Sequence, residues 1–266
     1  MVKGHAKTPL EFLYLEAGAT PIRFIISSRR LTYHQTILKR EDSELTKRIY
    51  QEQLKNPSTG DFVKLLENDF KVIKSEQNDI TIQNTSKYEY KQSIKKKIKA
   101  AAFNYLKEIQ ETHTKVRDIE YEQLETQKYM LSPIFSNSDV NLLYALRSRS
   151  TECRVNFKQK YLHSDLHCQL CKQENEDQQH LLKCSVIVNN LNNAEVVEEK
   201  IEYCDIFSND TRKQKAITAL YQCVFKIRDK LQENMNSQQA PSNSDALLRM
   251  SDDLQQHCTV YSSSGK

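Results

Sequence analysis

Apolar residues recur at helical rather than alternating spacing along most of the chain. Leu10, Phe12, Leu13 and Leu15 predict a short, half-buried helix closed by Gly18. Thr20-Pro21 predicts the next start, with Thr20 as N-cap and Pro21 in the first helical position. Ile22, Ile25, Ile26, Tyr33 and Ile37 then form an apolar stripe up to Lys39-Arg40, interrupted by Arg29-Arg30. A third helix follows Asp42-Ser43, holds Leu45, Ile49 and Leu54, and stops near Asn56-Pro57. After the turn at 57–60, Phe62, Leu65, Leu66, Phe70 and Ile73 build a fourth.

A long helix is predicted from about Tyr88 to His113, with Ile94, Ile98, Ala101, Ala102, Tyr105 and Ile109 on one face. Val140, Leu143, Tyr144 and Leu146 mark a helix capped by Ser138 or Asp139. The last strong helix starts after Asn209-Asp210 and carries Ile217, Leu220, Tyr221, Val224, Ile227 and Leu231. Asp79-Ile80-Thr81-Ile82 is the one strand-like stretch, and it is too short to found a sheet. Beyond Asn234 the chain turns to Ser, Asn, Gln and Asp, the composition of a disordered tail. The expected class is mainly α: a multi-helix domain over 9–150, a small zinc-binding element over 151–192, a closing amphipathic helical segment over 193–234, and a disordered tail over 235–266.

Composition narrows the function. Four Gly and five Pro in 266 residues exclude Gly-rich phosphate loops, dinucleotide-binding turns and most all-β designs. No apolar run of membrane-spanning length occurs, and the N-terminus lacks the apolar region of a secretory signal. An intracellular protein, nuclear or cytoplasmic, with no membrane partner is expected. The net charge of +4 says little, but residues 1–100 carry 19 basic and 12 acidic side chains, whereas 101–266 carry 20 and 23. A polyanion should favour the N-terminal part.

Seven cysteines in such a chain read as thiols or metal ligands rather than disulfides. Cys168 and Cys171 are separated by two residues, so one tight turn can aim both sulfurs at one ion. His180 and Cys184 stand four apart, on one face of a helix beginning near Glu176-Asp177. Four N/S ligands that converge match closed, tetrahedral zinc, and a full set leaves no open position, so one structural Zn2+ is expected. His163 and His167 lie close enough to replace His180 as the nitrogen donor, although His167 abuts Cys168. Cys153, Cys204 and Cys223 read as packed thiols, and Cys258 as part of the polar tail.

Basic residues offer candidate nucleic-acid contacts: Arg23, Arg29, Arg30, Lys39 and Arg40 along one early helix, Lys95, Lys96 and Lys97 in a second cluster, and Arg147 and Arg149 before the metal turn. Such side chains neutralise phosphates, although a lysine run is as often the solvated face of a helix. The run at 95–99 also has the composition of a nuclear-import signal. No catalytic constellation assembles: there is no P-loop, no Gly-x-Ser-x-Gly and no His-Glu-x-x-His, and the carboxylates are interleaved with Lys and Arg. Met250-Ser251-Asp252-Asp253 has Met where a polymerase turn carries an aromatic residue, and lacks flanking strands. Neither an enzyme nor a small-molecule substrate is expected.

Leu15-Glu16-Ala17-Gly18-Ala19-Thr20-Pro21-Ile22-Arg23-Phe24-Ile25-Ile26-Ser27-Ser28-Arg29-Arg30-Leu31 resembles the segment downstream of the polymerase core in non-LTR (LINE-like) retrotransposon reverse transcriptases. Gly60-Asp61-Phe62-Val63, Leu142-Leu143-Tyr144-Ala145-Leu146-Arg147-Ser148-Arg149 and Cys168 to Cys184 fit the same family, so the likeness spans roughly 9–232. The resemblance implies a C-terminal fragment that helps hold RNA or DNA during target-primed reverse transcription, with its zinc knuckle at Cys168, Cys171, His180 and Cys184. The family's polymerase carboxylates have no counterpart here, so the fragment is not expected to polymerise. The competing expectation is a zinc-braced helical module that binds protein, through the 212–231 helix, rather than nucleic acid.

Overall fold

The computed structural model describes residues 8–74, 84–117, 119–157, 165–193 and 201–238. It is mainly helical, with no strand among the described residues. The described residues divide into two compact units: Pro9–Gln127, and those from Lys128 to Gln238 together with Thr8. Residues 9–150 are thus shared between the two. The strand-like 79–82 and residues 239–266 lie outside the described residues.

The first unit contains α1 (Leu10–Glu16), α2 (Ile22–Leu38), α3 (Leu45–Lys55), α4 (Phe62–Val72) and α5 (Lys87–Thr112). α1 ends in a left-handed turn: Gly18 takes φ 61°, its N–H bonds Leu15 O and the Ala19 N–H bonds Tyr14 O, which satisfies two carbonyls that the helix leaves open. Gly18 is required for a second reason, since a Cβ there would lie 2.2 Å from the Thr126 backbone nitrogen. The close approach is fixed by the Thr126 hydroxyl donating to Ala17 O and by the Gln127 N–H donating to Glu16 O.

α2 begins differently from the sequence expectation. Pro21 occupies the N-cap itself and no side chain caps the helix, so Thr20 has no capping role. Its ring sets the required φ, and its carbonyl accepts the first bonds, from Phe24 and Ile25. The expected stripe also points the wrong way. Of its members Ile37 is buried, while Ile22, Ile25, Ile26 and Tyr33 are exposed; the buried face carries Phe24, Ser27, Leu31, His34 and Gln35. α3 behaves alike: Tyr50 is buried and Leu45, Ile49 and Leu54 are exposed. α5 is opened by a reciprocal Ser86–Glu89 capping box and buries Tyr90, Ile94, Ile98, Ala102, Leu106 and Gln110. Its stripe advances by fours, which leaves the expected Ala101, Tyr105 and Ile109 beside it.

Polar side chains sit inside this unit. The Gln110 amide donates to Val116 O and Ile119 O, tying the loop after α5 to the helix. His34 is fully buried, with Nε2 2.8 Å from Tyr50 Oη and Phe70 edge-on to its ring. Burial, aided by the positive charge of Lys47, lowers its pKa to about 4.

The second unit contains α6 (Lys128–Leu131), α7 (Asn137–Arg147), a 3-10 turn (Val155–Phe157), α8 (Gln178–Lys183), α9 (Ser185–Asn193), a 3-10 turn (Tyr203–Phe207) and α10 (Thr211–Gln238). The cap of α7 is Ser136, with Asp139 as its reciprocal partner three positions into the helix, rather than Ser138 or Asp139 as cap. Asp139 also accepts from Lys215 at 2.5 Å and from Gln222 at 2.8 Å, so one carboxylate joins the start of α7 to α10. α10 supplies Ile217, Leu220, Tyr221, Val224 and Ile227 to the core, as its spacing predicts. It runs on to Gln238, so Met235–Gln238 are helical where a disordered tail was expected.

Two outcomes are expected. Gly18→Ala should destabilise the first unit by about 3 kcal/mol, combining left-handed strain with the backbone clash, and lower its urea midpoint. An unchanged midpoint would show that the 17–18 turn yields freely. His34 binds its proton more weakly folded than unfolded, so stability is full above about pH 6.5 and falls as the pH drops toward 4, by on the order of 3 kcal/mol. Urea melts of the parent and His34→Gln at pH 7 and pH 5 should show a loss in the parent that the variant lacks.

Candidate metal centre

The second unit brings Cys168, Cys171, His180 and Cys184 together, with one ligand atom from each lying within 4.8 Å of every other. Cys168 Sγ is 3.9 Å from Cys184 Sγ, and Cys171 Sγ is 3.3 Å from His180 Nε2. The sulfur separation is far beyond a disulfide bond of about 2.05 Å, the three thiols are free, and the four side chains together could hold one metal ion.

Backbone geometry shapes the first pair. The Cys168 N–H donates to Glu174 O and the Glu176 N–H to Leu166 O, forming a hairpin-like ladder around the His167–Asn175 bridge. The cysteine turn sits at its tip, closed by the Lys172 N–H on Cys168 O and by a left-handed Lys172 at φ 58°. Backbone N–H groups of Leu170 and Cys171 point at Cys168 Sγ, and those of Gln173 and Glu174 at Cys171 Sγ. Burial dominates at Cys168 and pushes its thiol up to about 12. At Cys171 burial also raises the thiol, but the two N–H groups and the neighbouring thiols outweigh it and leave it at about 7.

The second pair is set by the start and stop of α8. Asp177 caps the helix by accepting from the His180 N–H at 2.7 Å. Cys184 is not on the helix, as the spacing predicted, but is its C-cap, at φ −56° and ψ 117°. That extended residue separates α8 from α9 and turns its sulfur toward Cys168. His180 Nε2 faces the sulfurs, while Nδ1 lies 3.1 Å from Glu174 Oε2. A carboxylate accepting from Nδ1–H fixes the tautomer that leaves Nε2 free to ligate. Glu174 was not singled out by the sequence reading; its only signal is an acid six positions before the histidine. His167 is half-exposed and pairs with Asp165 instead of joining the cluster, and His163 lies outside the described residues.

α10 holds this segment in place. Tyr221 donates to Gln178 O at 2.8 Å, and Tyr203 donates to the Gln178 side chain at 3.1 Å. Arg228 lies 3.8 Å from buried Glu176 and donates to Glu152 O. Of the remaining cysteines, Cys153 is buried and burial raises its thiol to about 12, Cys223 is half-buried, Cys204 is exposed rather than packed, and Cys258 lies outside the described residues.

The basic candidates are distributed unequally. Arg23, Arg29, Lys39, Lys95, Lys96 and Lys97 are exposed in the first unit. Arg23 lies 3.2 Å from the centre of the Tyr105 ring, and Lys39 donates to Thr85 O. Arg30 forks onto Asp69 at 2.6 and 2.8 Å, and Arg40 pairs with Glu44 at 2.7 Å. Arg147 and Arg149 belong to the second unit. Arg147 is 2% exposed and donates to Ile206 O, which takes it away from any surface. Arg149 is half-buried at φ 49°. Among the described residues no helix is long and apolar enough to cross a membrane.

Comparison of the chain with protein-family models, curated proteins and solved structures finds no match. Cys171→Ser and Cys184→Ser should each abolish stoichiometric metal binding and strip hydrogen-exchange protection from 165–193, because the ligands anchor opposite ends of that segment. Retained metal with unchanged protection in both variants would remove the centre. Glu174→Gln should keep the stoichiometry but weaken metal affinity about 10- to 100-fold in chelator competition.

Proposed function

We infer that the cluster is a structural zinc centre and that the chain is a retrotransposon-derived fragment that binds nucleic acid without a polymerase site. The carrying observation is the convergence of three thiols and one imidazole. A tetrahedral zinc ion, with Zn–S of about 2.3 Å and Zn–N of about 2.0 Å, sets sulfur–sulfur edges of about 3.8 Å and sulfur–nitrogen edges of about 3.5 Å. The 3.9 and 3.3 Å separations lie close to those edges. Soft thiolates with one imidazole select zinc over the oxygen-seeking ions. Four protein ligands close the shell, so the ion braces the fold and offers no site for substrate. Backbone N–H groups aimed at Cys168 and Cys171 would offset the negative charge of two thiolates.

The nucleic-acid part rests on the resemblance of 9–232 and on the exposed cations of the first unit, Arg23, Arg29, Lys39 and Lys95–Lys97. Arg30 and Arg40 are already ion-paired, and Arg147 serves the interior. Their phosphate contacts would be salt-sensitive and independent of the metal, which is held by the other unit.

Metal analysis of the purified chain should give one zinc per molecule. Fluorescence anisotropy with labelled single-stranded RNA and duplex DNA, at two salt concentrations, should show binding that weakens with salt and survives chelation. An Arg23→Gln/Arg29→Gln variant should flatten the log–log salt slope by about 1.5 units while lowering the melting temperature only slightly, through the lost Arg23–Tyr105 contact. Absence of binding at low salt, or equal slopes in parent and variant, would overturn the nucleic-acid reading and leave the zinc reading to its own assay.

A further inference from the structure

We propose that the solvent face of α2 is a docking stripe for an amphipathic, acidic helix of a protein partner. Ile22, Ile25, Ile26 and Tyr33 are 64, 36, 44 and 44% exposed. With Arg29 they fall at relative positions 0, 3, 4, 7 and 11, which places them on one side of the helix along roughly 16 Å. The other side of α2, partly polar, is already buried within its unit, which leaves this apolar stripe facing outward. Tyr33 packs edge-on against Phe62 of α4, ring centres 5.8 Å apart, and Leu65, one turn further along α4, is 37% exposed. The stripe therefore has a second apolar wall. A contiguous patch of this kind, rimmed by polar groups, is the usual mark of an interaction surface.

Charge selects the occupant. None of the 17 residues of α2 is Asp or Glu. Arg29 stands exposed within the stripe, and no ion pair holds it among the described residues. A second copy of the chain crossing here would set Arg29 against Arg29 with no carboxylate on either helix. A nucleic acid would satisfy Arg29 but leave three isoleucines against phosphate and sugar, where they neither stack nor neutralise charge. A helix bearing Leu or Ile at the same spacing, with a carboxylate facing Arg29, satisfies both parts of the stripe. This surface is independent of the zinc centre and shares Arg29 with the phosphate contacts proposed above, so the isoleucine variants, which keep Arg29, test it separately.

The test uses the full chain and a fluorescein-labelled synthetic helix of about 18 residues, with Leu at positions 0, 3, 4, 7 and 11 and Glu on its flanks. Controls are a scrambled peptide of the same composition and a version with Lys in place of Glu. The acidic amphipathic peptide should bind, and the scrambled one should not. Ile22→Gln/Ile26→Gln should weaken binding at least about tenfold with an unchanged circular dichroism melt, since both side chains are exposed. Arg29→Glu should weaken the acidic peptide and favour the Lys version. Equal binding of the scrambled peptide, or unaltered affinity in the double variant, overturns the proposal. So does a dimer of the parent chain that the double variant dissolves, or single-stranded RNA whose affinity falls in that variant.

Discussion

Two of the four clustered ligand residues are also core residues. Cys168 and Cys184 are buried among Leu181, Ile187, Leu191 and Tyr221, so the sulfurs that could hold a metal also belong to the hydrophobic core. A neutral thiol suits that environment, and burial accordingly raises the Cys168 pKa. A thiolate suits it only when a cation and backbone N–H groups offset its charge. The second unit is organised around this constraint. The ladder at Leu166–Glu176 supplies the N–H groups, Asp177 starts α8 so that His180 faces inward, and Cys184 ends it so that its sulfur turns back. Tyr203, Tyr221 and Arg228 then fasten the assembly through groups that are not ligands.

The first unit follows a different logic. Glu16, His34, Gln35, Asp69 and Gln110 are all buried in it. Each joins segments that apolar packing alone would leave to slide: Tyr121 donates to Glu16, Gln35 donates to Thr85 O, and Asp69 receives the fork of Arg30. An interior of this kind fixes one arrangement of helices, because a shifted register would leave several polar groups without partners.

That interior explains which parts of the fold could be read beforehand. α7 and α10 bury stripes that their spacing announces, α5 does so for Ile94, Ile98 and Ala102, and all three lie close to the predicted ranges. The convergence of Cys168, Cys171, His180 and Cys184 was legible because a shared metal would demand particular side chains at short spacings, a signal that survives without any knowledge of the fold. The face of α2 was not legible. Its buried side is assembled from Phe24 and Leu31 with Ser27, His34 and Gln35, while four of its best apolar residues face solvent. Periodicity assigns a face by hydrophobicity, so a helix that is apolar outside and partly polar inside is read backwards. Glu174 escaped for a related reason: its role comes from lying opposite His180 across a turn, and one exposed glutamate in an acidic stretch carries no pattern.

The loops closed in the second unit differ widely in length. Cys168 and Cys184 are 16 positions apart, whereas the Tyr221 bond to Gln178 spans 43 and the Arg147 bond to Ile206 spans 59. Loop-closure entropy grows with the logarithm of length, so the shortest loop carries the smallest entropic barrier. The ligand turn and α8 can therefore close as a nascent unit during synthesis, before α10 has been translated. On that order of events α10 docks onto a preformed surface rather than waiting on the meeting of the unit's distant ends.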